Sequence, residues 1–266
     1  MTTALQPTLF LSHGAPDLVL TPAPARAFLS GLGTTLVRPR AILVVSAHWM
    51  TDSPAVAATA RPATIHDFHG FPEPLYRLRY PAPGDPALAG EIASLLAAAG
   101  LPAALDADWG LDHGAWVPLL LMYPQADLPV LQLAIQPHRD PRHHFALGRA
   151  IARLREENVL VLASGSMTHN LRIIDRRGID APEADWARAF ADWMAERLTT
   201  GDIEAVLDYR ARAPFAVQAH PYDDHLLPLF TALGAATGAD GTPPRATRLH
   251  ASVTYGTLRM DALRFD

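Results

Sequence analysis

Histidine is where the chemistry of this chain gathers. The sequence holds 12 histidines and no cysteine. Any metal must therefore be held by His, Asp or Glu, and disulfides, cysteine-based zinc sites and a cysteine nucleophile are excluded. Three histidines follow short apolar runs: TLFLS leads to His13-Gly14, AILVVSA to His48-Trp49, and VLVLA through SGSMT to His169-Asn170. One histidine after a strand is an ordinary hydrogen-bonded turn residue. Three of them at the ends of otherwise apolar strands are different, because burying imidazoles together without partners costs free energy. A cation that takes their lone pairs removes that cost, and neutral imidazole is a common ligand of zinc and ferrous iron as well as an acid or base near neutral pH.

Two more clusters sit where a loop becomes a helix: Leu111-Asp112-His113-Gly114-Ala115-Trp116-Val117-Pro118, and His220-Pro221-Tyr222-Asp223-Asp224-His225 before LLPLF. Helix capping accounts equally well for the Asp223-Asp224 pair. His66 and His69, in TIHDFHGFPEPLY, suit either a substrate mouth or a solvated loop. His138, His143 and His144, beside Arg139 and Arg142, read as an exposed face, and His250, at the start of the last strand, has no assignment. Ser164-Gly165-Ser166 lacks the spacing of a nucleophile elbow and is explained by a turn.

The elements that must carry these residues can be read from the pattern. Buried strands are expected at Thr8–Ser12, Ala41–Ser46, Ala55–Thr59, Val130–Ile135, Val159–Ala163 and Ala251–Tyr255. Helices are expected at Pro86–Ala99, Arg142–Glu157, Ala184–Leu198 and Pro228–Ala236. Their alternation predicts an α/β fold, with a mainly parallel central sheet covered by helices on both faces (an αβα sandwich). In such a sheet ligands bind at the carboxyl edge of the strands, which is where His13, His48 and His169 fall. There is no internal repeat or long linker, so residues 1–266 are read as one catalytic domain. Hydrophobic residues make up 49% and charged residues 18%, with a net charge of -5, a globular composition. The absence of a basic block argues against nucleic acid. No apolar run is long enough for a membrane span, and the first apolar segment reads as a strand, not a signal peptide; a cytoplasmic location is the default.

The ordered set LFLSHGAP, VVSAHW, TIHDFHGFPEPLY, LDHGAWVPL, ASGSMTHNL and HPYDDHLLPLF resembles the class III extradiol ring-cleavage dioxygenases, in particular the 4,5-DOPA dioxygenase type, over nearly the whole chain. The resemblance implies a single metal at the sheet edge with His13 and His48 as ligands. It places the third ligand in HPYDDH, where the protocatechuate branch has a glutamate that this chain lacks; His220 is favoured there over His225. It implies His169 as the catalytic acid/base, able also to reach the metal, and His113 as a second catalytic histidine on substrate hydroxyl or oxygen. His225 is then left for substrate binding. Trp49, Phe71 and Tyr76 could wall the ring, and Gly14 and Gly114 suit close backbone approach.

The expected cofactor is one divalent metal per chain, Fe(II) for activity, with Zn(II) able to occupy the isolated protein. The expected partners are a small aromatic diol and O2, with a homo-oligomer left open. Two rivals stand beside this reading: a zinc-dependent amide or ester hydrolase on the same ligands, and a non-catalytic binding module that has kept the fold.

Overall fold

The computed structural model describes residues 5–266. Ten strands form in chain order: β1 (Thr8–Ser12), β2 (Ala41–Met50), β3 (Ala55–Ala57), β4 (Ala104–Asp106), β5 (Val130–Ile135), β6 (Val159–Gly165), β7 (Ala246–His250), β8 (Val253–Thr254), β9 (Leu258–Arg259) and β10 (Ala262–Phe265). Eight of them build one sheet in the order β4-β3-β5-β2-β6-β1-β10-β7, and β8 and β9 pair as a separate ribbon. The central strands β5, β2, β6 and β1 are parallel to one another. Antiparallel pairing enters at the flanks, where β3 meets β5 and where β10 joins β1 to β7.

Strand alternation divides the sheet between two cores. Phe10, Leu43, Val45, Leu131, Leu133 and Val161 face helices Pro86–Ala98, Pro141–Ile151, Asp185–Thr199 and Leu227–Ala236. Their neighbours Leu9, Leu11, Ile42, Val44, Val130 and Leu160 face helices Pro24–Thr35 and His113–Met122 on the other side. Central strands covered on both faces read as continuous apolar runs, which is why the sequence located them well. Helices Pro141–Ile151 and Leu227–Ala236 pack so closely that a Cβ on Gly148 would stand 2.1 Å from the Thr231 carbonyl oxygen, and one on Gly234 2.1 Å from that of Phe145.

Several expected elements change. β2 runs four residues beyond Ser46, to Met50, and this extension carries His48. The strand expected at Ala251–Tyr255 shrinks to the short β8, while β7 and β10 take the sheet positions. Both were missed because flank strands tolerate polar residues such as Thr247, Arg248 and Arg264. Helix Pro24–Thr35 was hidden by a Pro- and Gly-containing composition, and its proline stands in the first turn, where no N–H is needed.

His144 is not on an exposed face. It is fully buried, its Nε2 accepts from the Gln136 N–H at 3.1 Å, and its Nδ1–H donates to the Asp140 carbonyl at 3.0 Å. It ties the end of β5 to the start of the following helix. Burial lowers its pKa from 6.5 to about 4. A base whose folded pKa is depressed stabilises fully above its unfolded pKa and loses that contribution as pH falls toward the folded value. The His144 ring resonances are therefore expected to stay those of a neutral imidazole down to about pH 4. The unfolding free energy should fall by on the order of 1.4 kcal/mol per pH unit for such a group across that window. A His144 that titrates near 6.5 by NMR would contradict this.

Candidate active site

β1 and β6 end level, with Ser12 opposite Gly165, and β2 and β6 set Ser46 beside Ser164. The residue after β1 is His13, whose N–H donates to the Gly165 carbonyl at 3.0 Å. The extension of β2 swings His48 over the same edge. His113 opens helix His113–Met122 behind the cap Asp112, which accepts from the Ala115 N–H. His225 lies just before helix Leu227–Ala236, and its carbonyl accepts from the Ser166 N–H at 2.8 Å. The loop after β6 brings His169 to the group. These five imidazoles share the wall of a cavity of about 380 Å³ with Phe68, Phe71, Leu171, Tyr255, Leu258 and Met260.

Proton counting settles which nitrogens face the centre. In helix His113–Met122, Pro118 has no N–H to give the carbonyl four residues earlier. That carbonyl, Gly114, instead accepts from the Ser164 hydroxyl. With its only proton used there, Ser164 Oγ can only accept from His13 Nδ1–H, at 2.9 Å. His13 Nε2 thus carries a lone pair. His225 Nδ1–H donates to Asp224 Oδ2 at 2.9 Å and His113 Nδ1–H to Asp67 Oδ2 at 2.9 Å, leaving their Nε2 atoms unprotonated. The same Asp67 oxygen lies 3.6 Å from His48 Nδ1, and His48 Nε2 faces His13 Nε2 at 3.1 Å. Two nitrogens that close require a proton or a cation between them. A carboxylate or hydroxyl behind His13, His113 and His225, with Nε2 forward, is the arrangement that orients metal-binding histidines.

Burial favours the neutral form of His13, His48, His169 and His225. Burial, then the neighbouring imidazoles, holds His13 far below the usual histidine range. His48 is lowered to about 3 by burial and by His113. His225 and His169 are lowered too, burial again leading. Asp67 would be raised by burial, but its hydrogen bonds from His113 and its electrostatic interaction with that ring leave it below the ordinary carboxylate value. Asp112, buried and accepting from Ser46 at 2.6 Å, is pushed up to about 6 by burial. Donor atoms of His13, His48 and His113 all fall within 4.8 Å of one another, as do those of His169, Asp224 and His225. A neutral, lone-pair-rich cluster of this kind fits a divalent cation.

Not every expected residue arrives. His220 is buried away from the cavity wall, with Nε2–H donated to the Met167 carbonyl at 2.9 Å and its ring 5.5 Å from that of Phe190. Trp49 also turns away, because consecutive strand residues point to opposite faces and His48 takes the site side. It stacks on Trp109 with centroids 5.1 Å apart, in a small core with Ala55, Ala57 and Ala134. Tyr76 lies behind Phe68 and Phe71, whose N–H its hydroxyl accepts at 3.3 Å; Phe71 does line the cavity. His66 bonds the Leu78 carbonyl, His69 is exposed and His250 stacks on Phe28. Ser164 has its hydroxyl committed to Gly114, which leaves no nucleophile there. Gly114 is needed for space, since a Cβ would stand 2.4 Å from Ser46 Oγ and 3.0 Å from His48 Cδ2. Among residues the sequence reading overlooked, Asp67 has the largest part. Its only signal was its place between His66 and His69.

Comparison with known proteins agrees with this geometry. Residues 31–259 match the family described as the catalytic LigB subunit of aromatic ring-opening dioxygenase. The chain is 43% identical over 267 residues to 4,5-DOPA dioxygenase extradiol of Beta vulgaris, covering 98% of this chain and 97% of that one. It is 42% identical to the protein of that name from Escherichia coli, over 90% of this chain and 89% of that one. The crystal structure of an uncharacterised Escherichia coli K12 protein superposes with a TM-score of 0.80 at 37% identity, covering 98% of this chain and 100% of that one. The chain belongs to the LigB family of aromatic ring-opening dioxygenases. It is an oxidoreductase, an extradiol dioxygenase, and the histidine cluster provides for the single metal with which such enzymes work. The hydrolase and binding-module alternatives find no support among these relatives. No helix among the described residues is long and apolar enough to cross a membrane.

Asp67 offers a direct test of the orienting carboxylates. Asp67→Asn should leave the fold and melting behaviour close to wild type while lowering metal affinity or turnover by about tenfold to a hundredfold. Metal titration and steady-state rates on the purified variant would show it, and an unchanged pair of values would remove Asp67 from this role.

Proposed function

We propose that the chain opens the ring of a DOPA-like catechol with O2 at one Fe(II) ion held by His13, His48 and His225. The supporting observation is the triangle these rings form. Two imidazoles that share an ion at about 2.1 Å from each nitrogen stand with ring centroids roughly 5 Å apart. The separations are 5.0 Å for His13–His48, 4.9 Å for His48–His225 and 5.5 Å for His13–His225. His113 departs from this spacing, with its ring 3.8 Å from that of His48 and its Nδ1 held by Asp67. His225 thus replaces His220 as third ligand, and three nitrogens on one side leave room for substrate on the other.

Bound Fe(II) acidifies catechol hydroxyls and supplies the one-electron chemistry O2 requires, whereas Zn(II), which the same donors hold well, fills the site without redox change. The chain's own groups do the rest. Phe68, Phe71 and Met260 flank the ring and exclude water. His169, kept neutral by burial, takes a hydroxyl proton as the catechol enters and returns it as the ring opens. His113, fixed by Asp67, accepts a hydrogen bond from substrate through Nε2 and orients it. One ring carbon–carbon bond beside a hydroxyl-bearing carbon breaks, and both atoms of O2 end in a semialdehyde acid. The cytoplasm suits this chemistry, since reducing conditions keep the iron ferrous.

Two measurements test the assignment. His225→Ala should lose bound metal by elemental analysis, while His220→Ala should keep it; the reverse result restores His220 as ligand. His169→Ala should keep metal and lose about a hundredfold to ten-thousandfold in kcat, read by O2 uptake and the yellow product. Fe(II)-loaded wild type that consumes no O2 with L-DOPA, dopamine or 4-methylcatechol would end the proposal.

A further inference from the structure

The cavity that receives the ring carries one fixed charge. Among the described residues that line it, Asp17 is the only carboxylate, and no arginine is present. The sequence contains no lysine, so among the described residues no Lys or Arg side chain lines the cavity. Asp17 stands in the short turn Pro16–Val19, where Pro16, Leu18 and Val19 are buried in the core below and hold the turn against the sheet edge. Its carboxylate is half-buried and raised by that burial, and the opposing influence is its own backbone N–H, not a cation. Tyr255, in a left-handed turn, lines the same cavity, and its phenol is raised by burial and then by the charge of Asp17. The rest of the lining away from the histidines is apolar: Phe68, Phe71, Leu171, Ile174, Leu258 and Met260.

An aromatic slot with a metal site at its floor and a lone carboxylate on its wall selects by charge. We infer that Asp17 is a specificity-determining residue, receiving the side-chain ammonium of a catecholamine and repelling catechols whose side chain is only a carboxylate. The inference rests on the reading above that a catechol occupies this cavity. A zwitterionic catechol amino acid is accommodated with its ammonium toward Asp17 and its carboxylate toward solvent. Complementary charge in a partly desolvated site favours the right partner, and like charge there penalises the wrong one. Asp17 does not touch the reacting atoms, so its effect belongs to binding.

The test is binding by calorimetry to the metal-loaded protein under anaerobic conditions, where no turnover occurs. The probes are dopamine, 4-methylcatechol and 3,4-dihydroxyphenylacetate, and the variants are Asp17→Asn and Asp17→Ala. Wild type should bind dopamine most tightly and 3,4-dihydroxyphenylacetate least, with a Kd ratio of about tenfold or more. Both variants should bring that ratio to within about threefold. In steady-state assays Asp17→Asn should raise KM for dopamine more than it lowers kcat. Equal wild-type affinities, a ratio unchanged in both variants, or failure of all three probes to bind would overturn the inference. The expected binding order without O2 uptake would leave Asp17 in its role and remove only the dioxygenase proposal.

Discussion

The Nδ1 atoms of His13, His113 and His225 each give their proton to an oxygen, and the geometry of the site follows from that constraint. A neutral imidazole has one proton and one lone pair, so fixing the proton outward turns Nε2 inward. Ser164, Asp67 and Asp224 do the fixing, and the first two are themselves anchored or shared. Ser164 is committed by the carbonyl that Pro118 leaves free, and Asp67 accepts from both the backbone and the ring of His113. A proline inside a helix, normally a defect, here makes an acceptor for the group that orients His13.

Concentrating unprotonated nitrogens in a buried place works against stability. Desolvation lowers every one of His13, His48, His169 and His225. Protonating one would leave a charge beside other imidazoles, and His13 and His48 bring their Nε2 atoms to 3.1 Å, a spacing that needs a proton or a cation between them. An ion that binds the folded form relieves this and shifts the folding equilibrium by mass action. The two cores on either side of the sheet offset the cost, and one of them shares Met260, Phe68 and Phe71 with the cavity wall.

The cavity is built from segments of different rigidity. Its floor is strand ends in parallel register, where backbone pairing fixes the starting points of the residues that follow. Its walls are loops: residues 66–71 bring Phe68 and Phe71, residues 169–174 bring Leu171 and Ile174, and the β8–β9 ribbon brings Tyr255 and Leu258. The last two walls lean on each other through Asp175 N–H to the Tyr255 carbonyl and Tyr255 N–H to the Ile179 carbonyl. A fixed floor for chemistry and loop walls for selection is the usual division of labour in an open α/β sheet.

The sequence alone determined the parallel centre of the sheet, since β1, β5 and β6 are continuous apolar runs, and it determined that His13, His48 and His169 follow strands that end on one edge. Both follow from local periodicity, which needs no knowledge of neighbours. Only tertiary structure places His225, and not His220, at the cavity wall beside His48. The two are five residues apart in one loop, and which ring meets His48 depends on how that loop turns after Ala219 bonds His169. Trp49 was within reach of sequence reasoning, because strand alternation sends it opposite His48. Asp67, Ser164 and the lone charge of Asp17 were not, because an acceptor, an orienting hydroxyl or an unpaired carboxylate is defined by what stands around it, and that is set by contacts between residues far apart in the chain.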